Sequence, residues 1–322
     1  LRERCFNYLS PLGVNWEVFE NAFKRAKEES DRTHHQLIHA QKERFDRAVK
    51  ENKLVFIVAG RPYHADPLVQ QKVGQILTDM GAHVFTDDLF RGNDNEELAE
   101  LNIITQWPYP NRVVKAALEV ARLPMNVQLI QLNSFGCGPD SFFMDEIGQI
   151  LNRAGKNHTI LRIDEIASPG SVRLRMRSLI ESLKARETGL EIDYKPFKPY
   201  PANFTKEDRK RTILAPWLAD HLSPYIPAIG ELAGYTIVNL PRTDKAAAEA
   251  GLVYGHNEVC YPSTLVLGDI ITALQSGKYD LDNVVVAITQ TGGQCRATNY
   301  VAQIKFGMES AGFSHIPILV LS

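Results

Sequence analysis

The chain has 322 residues, of which 44% are hydrophobic and 23% are charged, and its formal net charge is −2. This length favours two globular domains, and the near-neutral charge gives no electrostatic case for binding nucleic acid or an anionic membrane. No apolar run approaches the roughly 20 residues of a membrane span, and the opening LRERCFNYLS is not a signal peptide. We therefore expect a cytoplasmic protein. The sequence begins at Leu1 and ends in a strand-like run, so we also expect a fragment of a longer polypeptide.

Residues 1–52 predict a helical arm or linker, because charged residues there alternate with apolar residues at helical spacing. Residues 53–187 predict a first Rossmann-like domain, in which short apolar runs alternate with helical patterns. The predicted strands are 54–60, 82–86, 127–132 and 158–163, and the predicted helices are 67–80, 93–104, 110–122, 139–154 and 169–185.

Residues 188–210 are rich in proline and lysine and predict a linker. Residues 211–322 predict a second Rossmann-like domain with strands 212–218, 235–239, 283–289 and 316–321 and helices 221–233, 243–250, 262–276 and 297–311. The predicted fold is therefore α/β, with two doubly wound Rossmann-like domains related by a pseudo-twofold repeat and preceded by a helical arm.

A strand, glycine, cysteine, helix pattern occurs once in each half of the chain. Residues 127–155 contain Cys137 and residues 284–312 contain Cys295, and each cysteine follows a strand and precedes a helix. Open α/β sheets gather ligands at the carboxyl ends of their strands, and a helix amino end favours the thiolate that metals bind. The repeat predicts a metal site between the two domains.

Cys260, in HNEVCYPS, is a third cysteine in a turn that enters a helix. Three thiolates from scattered loops suit a cluster or metal with one open coordination site better than a closed four-ligand zinc site. The alternative is that these cysteines fill space in the core, as free cysteines often do. Arg296 and Asn299 follow Cys295 and could tune or gate such a site, whereas Cys5 lies in the arm without a turn and is expected to be structural.

The loop GRPYHADP follows the first predicted strand, where a doubly wound fold places its ligand loop. Arg61 could meet a phosphate or carboxylate, Tyr63 and His64 could donate hydrogen bonds, and Asp66 could cap the next helix. The alternative is an ordinary charged loop. Neither GxGxxG nor a Walker A sequence occurs in the chain, so direct dinucleotide or ATP binding by those motifs is not supported.

The segments AGRPYHADP, LNSFGCGPD, HNEVCYPS and ITQTGGQCRATNY resemble those of the 2-hydroxyacyl-CoA dehydratase and acyl-CoA dehydratase activase superfamily. The closest likeness is to the dehydratase-related region of large proteins that carry a fused 2-hydroxyglutaryl-CoA dehydratase activator ATPase. The resemblance implies two Rossmann-like domains and a four-iron four-sulfur (4Fe-4S) cluster held by three cysteines, with an open iron site. Carried onto this chain, the ligands would be Cys137, Cys260 and Cys295.

In the dehydratase branch, the resemblance implies that an ATP-dependent activator supplies an electron and that an acyl-CoA thioester loses water through a ketyl radical. We therefore expect an iron–sulfur, dehydratase-related component of a low-potential electron-transfer system, either a lyase or a reductase component. Its partners would be an activator ATPase, separate or fused, and an acyl-CoA-type or other hard-to-reduce substrate. Such an oxygen-sensitive cluster would be lost in an aerobic preparation.

Two alternatives stay open from the sequence. One is a non-catalytic α/β scaffold that docks the activator ATPase, and the other is a zinc protein that uses the same thiols.

Overall fold

The computed structural model describes residues 2–91, 98, 101, 107–133, 139–163, 169–185, 203–256, 259–290 and 296–321. The chain begins with the predicted arm, which consists of helices α1 (Arg2–Leu9) and α2 (Trp16–Lys50). The Asn15 side chain caps α2 by accepting a hydrogen bond from the backbone N–H of Val18 at 2.9 Å. No helix in the described part of the chain has the length and apolar character that crossing a bilayer requires.

The first domain is built on a four-stranded parallel sheet in the order β2-β1-β3-β4. Its strands are β1 (Val55–Ala59), β2 (His83–Thr86), β3 (Val127–Asn133) and β4 (Thr159–Arg162). Its helices are α3 (Val73–Asp79), α4 (Pro108–Arg122), α5 (Pro139–Arg153) and α6 (Pro169–Ala185).

The second domain repeats this arrangement, with a parallel sheet in the order β6-β5-β7-β8. Its strands are β5 (Thr212–Ala215), β6 (Thr236–Asn239), β7 (Val284–Thr289) and β8 (Ile318–Leu321). Its helices are α7 (Ile226–Leu232), α8 (Lys245–Tyr254), α9 (Tyr261–Gln275) and α10 (Tyr300–Ser310). The two sheets have the same strand order within their domains, so the predicted α/β class with two Rossmann-like units is confirmed.

Helices cover both faces of the first sheet, which explains why β1 is a continuous apolar run and why β1 and β3 are buried along their whole length. Residues of α4 and α5 pack on one face, together with Phe45 and Ala48 from the end of α2. Residues of α3 and α6 pack on the other face. The arm is therefore joined to the first domain through the core contacts of the last turns of α2.

The predicted helix at 67–80 is wrong in its first half, because α3 begins only at Val73. Gln71 and Lys72 have φ angles of 53° and 58°, in the left-handed region that an α-helix cannot pass through. Asp66 does not cap α3 as predicted. Its carboxylate instead accepts hydrogen bonds from the backbone N–H groups of Leu68 and Val69 and stabilises a turn.

Three other predicted segments lie wholly or partly within the described residues. The predicted helix 221–233 divides into a 3-10 turn, Ser223–Tyr225, and α7. The end of the predicted linker is packed on the second domain, since Phe204 donates its backbone N–H to the carbonyl of Ile318 at 3.2 Å. The predicted helix 93–104 falls largely outside the described residues.

Two glycines allow α8 and α9 to pack at very short range. A Cβ atom at Gly251 would collide with the backbone of Thr264, and a Cβ atom at Gly268 would collide with the backbone of Ala247. Backbone atoms cannot move aside as a flexible side chain can. This close approach fixes the position of α9, the helix that Cys260 precedes.

We predict that Gly268→Ala lowers the free energy of unfolding by about 1–3 kcal/mol, the usual cost of overpacking. The matched control is Gly74→Ala in α3, where the nearest atom to an added Cβ is the Gln70 side-chain oxygen at 3.6 Å. That substitution should raise stability by about 0.5–1 kcal/mol through its helix propensity. Urea denaturation of both variants measures the difference, and equal effects would contradict the close packing of α8 and α9.

Candidate functional site

The strand order places the carboxyl ends of β1 and β3 side by side at one edge of the first sheet. Because β1 lies between β2 and β3, the chain leaves β1 and β3 in opposite directions, which creates the crevice where doubly wound sheets bind ligands. The loop after β1 contains Arg61, Tyr63 and His64, and the segment after β3 contains Cys137. The second sheet has the equivalent crevice between β5 and β7, and Cys295 is in the segment that follows β7.

Arg61 joins the loop after β1 to the start of α5. Its guanidinium donates to the Asp140 carboxylate from Nη2 at 2.8 Å and from Nε at 3.2 Å, and the two side chains of this two-pronged ion pair are 30% and 18% exposed. Asp140 lies in the first turn of α5, three residues after Cys137. The pair therefore fixes the helix end that follows the cysteine. Contact of Arg61 with a substrate or partner stays a prediction.

His64 is buried and stabilises the loop after β1 through a hydrogen bond. Its Nδ1 accepts a hydrogen bond from the backbone N–H of Arg61 at 3.0 Å, so a neutral ring carries its proton on Nε2. Burial lowers the pKa of His64, an effect that Asp140 opposes and Arg61 reinforces. A Cβ at Gly60 would lie 2.5 Å from His64 Nδ1, so the histidine can lie this close only to a glycine.

Tyr63 is the exposed member of the predicted group. Its ring is 47% exposed and lies edge-on to the His64 ring, with 4.5 Å between ring centroids. A half-exposed aromatic ring with a hydroxyl can contact a ligand or a protein surface. Substrate or partner contact by Tyr63 and His64 stays a prediction.

Cys137 and Cys295 lie outside the described residues, as does the side chain of Arg296. The elements on either side of each cysteine are described. Residues 134–138 connect β3 to α5, and residues 291–295 connect β7 to a 3-10 helix, Arg296–Asn299, which leads directly into α10. This 3-10 helix packs against α5. The two cysteine-bearing segments thus enter helices that are in contact with each other across the two domains.

Cys260 is the N-cap residue of α9, and its thiol is buried. Its Sγ lies 3.0 Å from the hydroxyl oxygen of Tyr300, the first residue of α10. The starts of α9 and α10 are therefore joined through a sulfur atom. The other described cysteine, Cys5, is half-buried in α1 of the arm.

Tyr300 also reaches the first domain. Its ring centroid lies 6.3 Å from that of Phe142 in the first turns of α5, and Ala302 of α10 packs within the core of the first domain. Asn299, the residue before Tyr300, is buried. The start of α5 thus contacts the start of α10, which in turn contacts Cys260 at the start of α9.

Sequence reasoning missed Tyr300 and Asp140, although both lie within segments that it selected. Asp140 is the second residue of the predicted helix 139–154, and Tyr300 is the last residue of the QTGGQCRATNY segment. Neither the Arg61–Asp140 pair, which spans 79 positions, nor the Cys260–Tyr300 contact, which spans 40, leaves a local pattern in the sequence.

Within the described ranges, no group of three or more His, Cys, Asp or Glu side chains is placed to hold a metal ion. Those ranges contain one of the three predicted ligands, Cys260. Metal binding by the three cysteines therefore stays a prediction.

We predict a coupling free energy of about 1–2 kcal/mol between Arg61 and Asp140 in a double-mutant cycle of Arg61→Gln and Asp140→Asn. The matched control is the pair Arg242–Asp220, whose nitrogen–oxygen distance of 2.9 Å is close to the 2.8 Å of Arg61–Asp140 but whose side chains are 68% and 67% exposed. That pair should couple by less than about 0.5 kcal/mol, because solvent screens it. If the two cycles gave the same coupling, the Arg61–Asp140 pair would not be the structural tie described here.

Residues 1–90 match the family described as "CoA enzyme activase uncharacterised domain". This range covers the helical arm, β1, β2 and the loop that contains Arg61, Tyr63 and His64. No curated protein matches the chain.

Among solved structures, the chain is similar to a LacI family transcriptional regulator from Arthrobacter sp. FB24 in complex with lactose, with 13% sequence identity. The alignment covers 84% of this chain and 96% of that protein, and its TM-score of 0.20 is too low to support any argument about this chain. Over residues 1–90, then, the chain carries a CoA enzyme activase-related domain, which confirms its resemblance to the acyl-CoA dehydratase activase-related superfamily.

Proposed function

We propose that this chain is the iron–sulfur, dehydratase-related component of an ATP-driven low-potential electron-transfer system. Its substrates would be acyl-CoA thioesters or other compounds that are hard to reduce. The observation that carries the proposal is the contact among the starts of α5, α9 and α10, because each of these helices follows one of the three candidate ligands, Cys137, Cys260 and Cys295. The activase-related domain at residues 1–90 supports an activator ATPase as the partner.

The described residues fit an anionic iron–sulfur cluster in three respects. The Cys260 thiol is buried at a helix start, which limits the access of water and oxygen. The Tyr300 hydroxyl lies at hydrogen-bonding distance and can donate to a ligand sulfur. The partial positive charges at the amino ends of α5, α9 and α10 favour the negative charge of thiolates.

Each group of residues has a distinct task in this proposal. Cys137, Cys260 and Cys295 would hold a cluster with an open iron site, which supplies one-electron transfer at low potential. Tyr300, Asn299 and Arg296 would adjust the charge around the sulfur atoms. Arg61 and Asp140 fix the start of α5, and Tyr63 and His64 would face the substrate or the partner from the loop beside it.

The test is iron, acid-labile sulfide and a visible spectrum on protein purified without oxygen. A brown protein with several irons per chain, each accompanied by sulfide, is the expected result. A colourless protein that contains zinc would establish the zinc alternative. A metal-free protein that resists reconstitution would leave the non-catalytic scaffold that docks the activator ATPase.

We predict that Cys260→Ser loses most of the iron, because a serine hydroxyl is a poor ligand for this cluster type, whereas its secondary structure changes little. The same substitution at Cys5 is the matched control and should retain all of the iron, since Cys5 lies in the arm. Iron analysis and circular dichroism of the two variants make the comparison. Full iron retention in Cys260→Ser would remove Cys260 from the site.

A further inference from the structure

A small polar cavity lies between the two domains, about two helical turns into α5. Its polar lining comes from Asp145, Glu146 and Gln149 of the first domain and from His256 and Gln303 of the second. Its volume is about 10 Å³, which is room for the centre of a single water molecule. A water molecule in a cavity this small would be held by hydrogen bonds to the few polar side chains that line it.

Two of those polar atoms have no hydrogen-bond partner among the described residues. The Glu146 side chain is only 2% exposed, and its Oε1 has no donor. Gln303 is 4% exposed, and although its Oε1 accepts from the Ser263 hydroxyl, its Nε2 has no acceptor. One atom accepts hydrogen bonds and the other donates them, and each comes from a different domain. Buried polar atoms of this kind are usually satisfied by an internal water.

We propose that this cavity binds one water molecule that accepts a hydrogen bond from Gln303 Nε2 and donates one to Glu146 Oε1, and that Glu146 carries a proton while the domains are closed on it. A buried carboxylate is stable only with a cation or several donors beside it. Glu146 lines a cavity whose other unpartnered polar atom among the described residues, Gln303 Nε2, is uncharged, so burial there favours the neutral acid. The inference does not depend on the iron–sulfur cluster.

Burial favours the uncharged form of Glu146 and of its titratable neighbours. Burial, followed by the neighbouring Asp145 carboxylate, raises the pKa of Glu146 to about 8, and Arg153 on the same helix opposes the shift. Burial also raises the pKa of Asp145, which His256 of the second domain lowers in part. Burial, followed by His256, lowers the pKa of His158 to about 4.

These directions give the interface a defined pH dependence. Opening the interface exposes Glu146 to water, where its pKa returns towards the ordinary value of 4.5. The closed form therefore binds a proton that the open form releases, and closure becomes less favourable as the pH rises from 4.5 to about 8. Below pH 4.5 both forms hold the proton, and the full stabilisation is present.

The test is hydrogen exchange of the α5 and α10 amides, measured by mass spectrometry on the whole chain and corrected for the intrinsic exchange rate. Between pH 6 and 8, protection in the native chain should fall by about tenfold per pH unit, as expected for the release of one proton. In the Glu146→Gln variant, whose new side chain cannot ionise, protection should change less than about threefold over that pH range. The matched control, Glu309→Gln on the exposed side of α10, should behave like the native chain. Flat protection in the native chain, or the same fall in Glu146→Gln, would overturn the proposal.

A second measurement needs no variant and keeps the proposal testable if Glu146→Gln does not fold. Infrared spectra of native protein with ¹³C-labelled glutamate should show a protonated carboxyl band at pH 6 that disappears as the pH rises through about 8. A crystal structure at pH 6 should show a water between Glu146 Oε1 and Gln303 Nε2. An infrared spectrum with only ionised carboxylates at pH 6 would refute the proton on Glu146. A direct contact between the Glu146 and Gln303 side chains would refute the bound water.

Discussion

Tyr300 joins the two domains at the point where the candidate site is built. Tyr300 at the start of α10 lies against Phe142 of α5 and within 3.0 Å of the Cys260 sulfur at the start of α9. Ala302, two residues further into α10, packs into the core of the first domain. Each sheet could fold around its own core, but a site built from both domains requires these helix starts to be held together. The Arg61–Asp140 pair adds the loop after β1 to the same assembly.

Much of the fold could be predicted from the sequence because parallel strands buried on both faces are continuous apolar runs. β1, β3 and β7 lie within a residue or two of their predicted positions, and so do α5, α6 and α9. The start of α3 could not be predicted, because the left-handed conformation at Gln71 and Lys72 arises in residues that have no strong preference for it. The close packing of α8 on α9 depends on the proximity of the two helix backbones. Gly251 and Gly268 permit this proximity, but a glycine in a helical sequence does not by itself predict it.

The candidate site was predictable only in part, for a different physical reason. Cysteines beside glycine and proline turns stand out locally, and the repeat in each half places them at equivalent points of two sheets with the same strand order. The groups that surround them are determined by tertiary contacts. Asp140, Tyr300 and Glu146 are ordinary helix residues in the sequence, and they acquire their roles because another domain or loop removes water from them.

Under the proposed function, the three cysteine-bearing segments meet at the contact between the domains and hold iron there. An iron-specific anomalous difference map from crystals grown without oxygen would locate that iron. We expect one peak, within bonding distance of the sulfur atoms of Cys137, Cys260 and Cys295 and close to the Tyr300 hydroxyl. A peak elsewhere, or no peak in crystals of protein that contains iron, would contradict the proposed function.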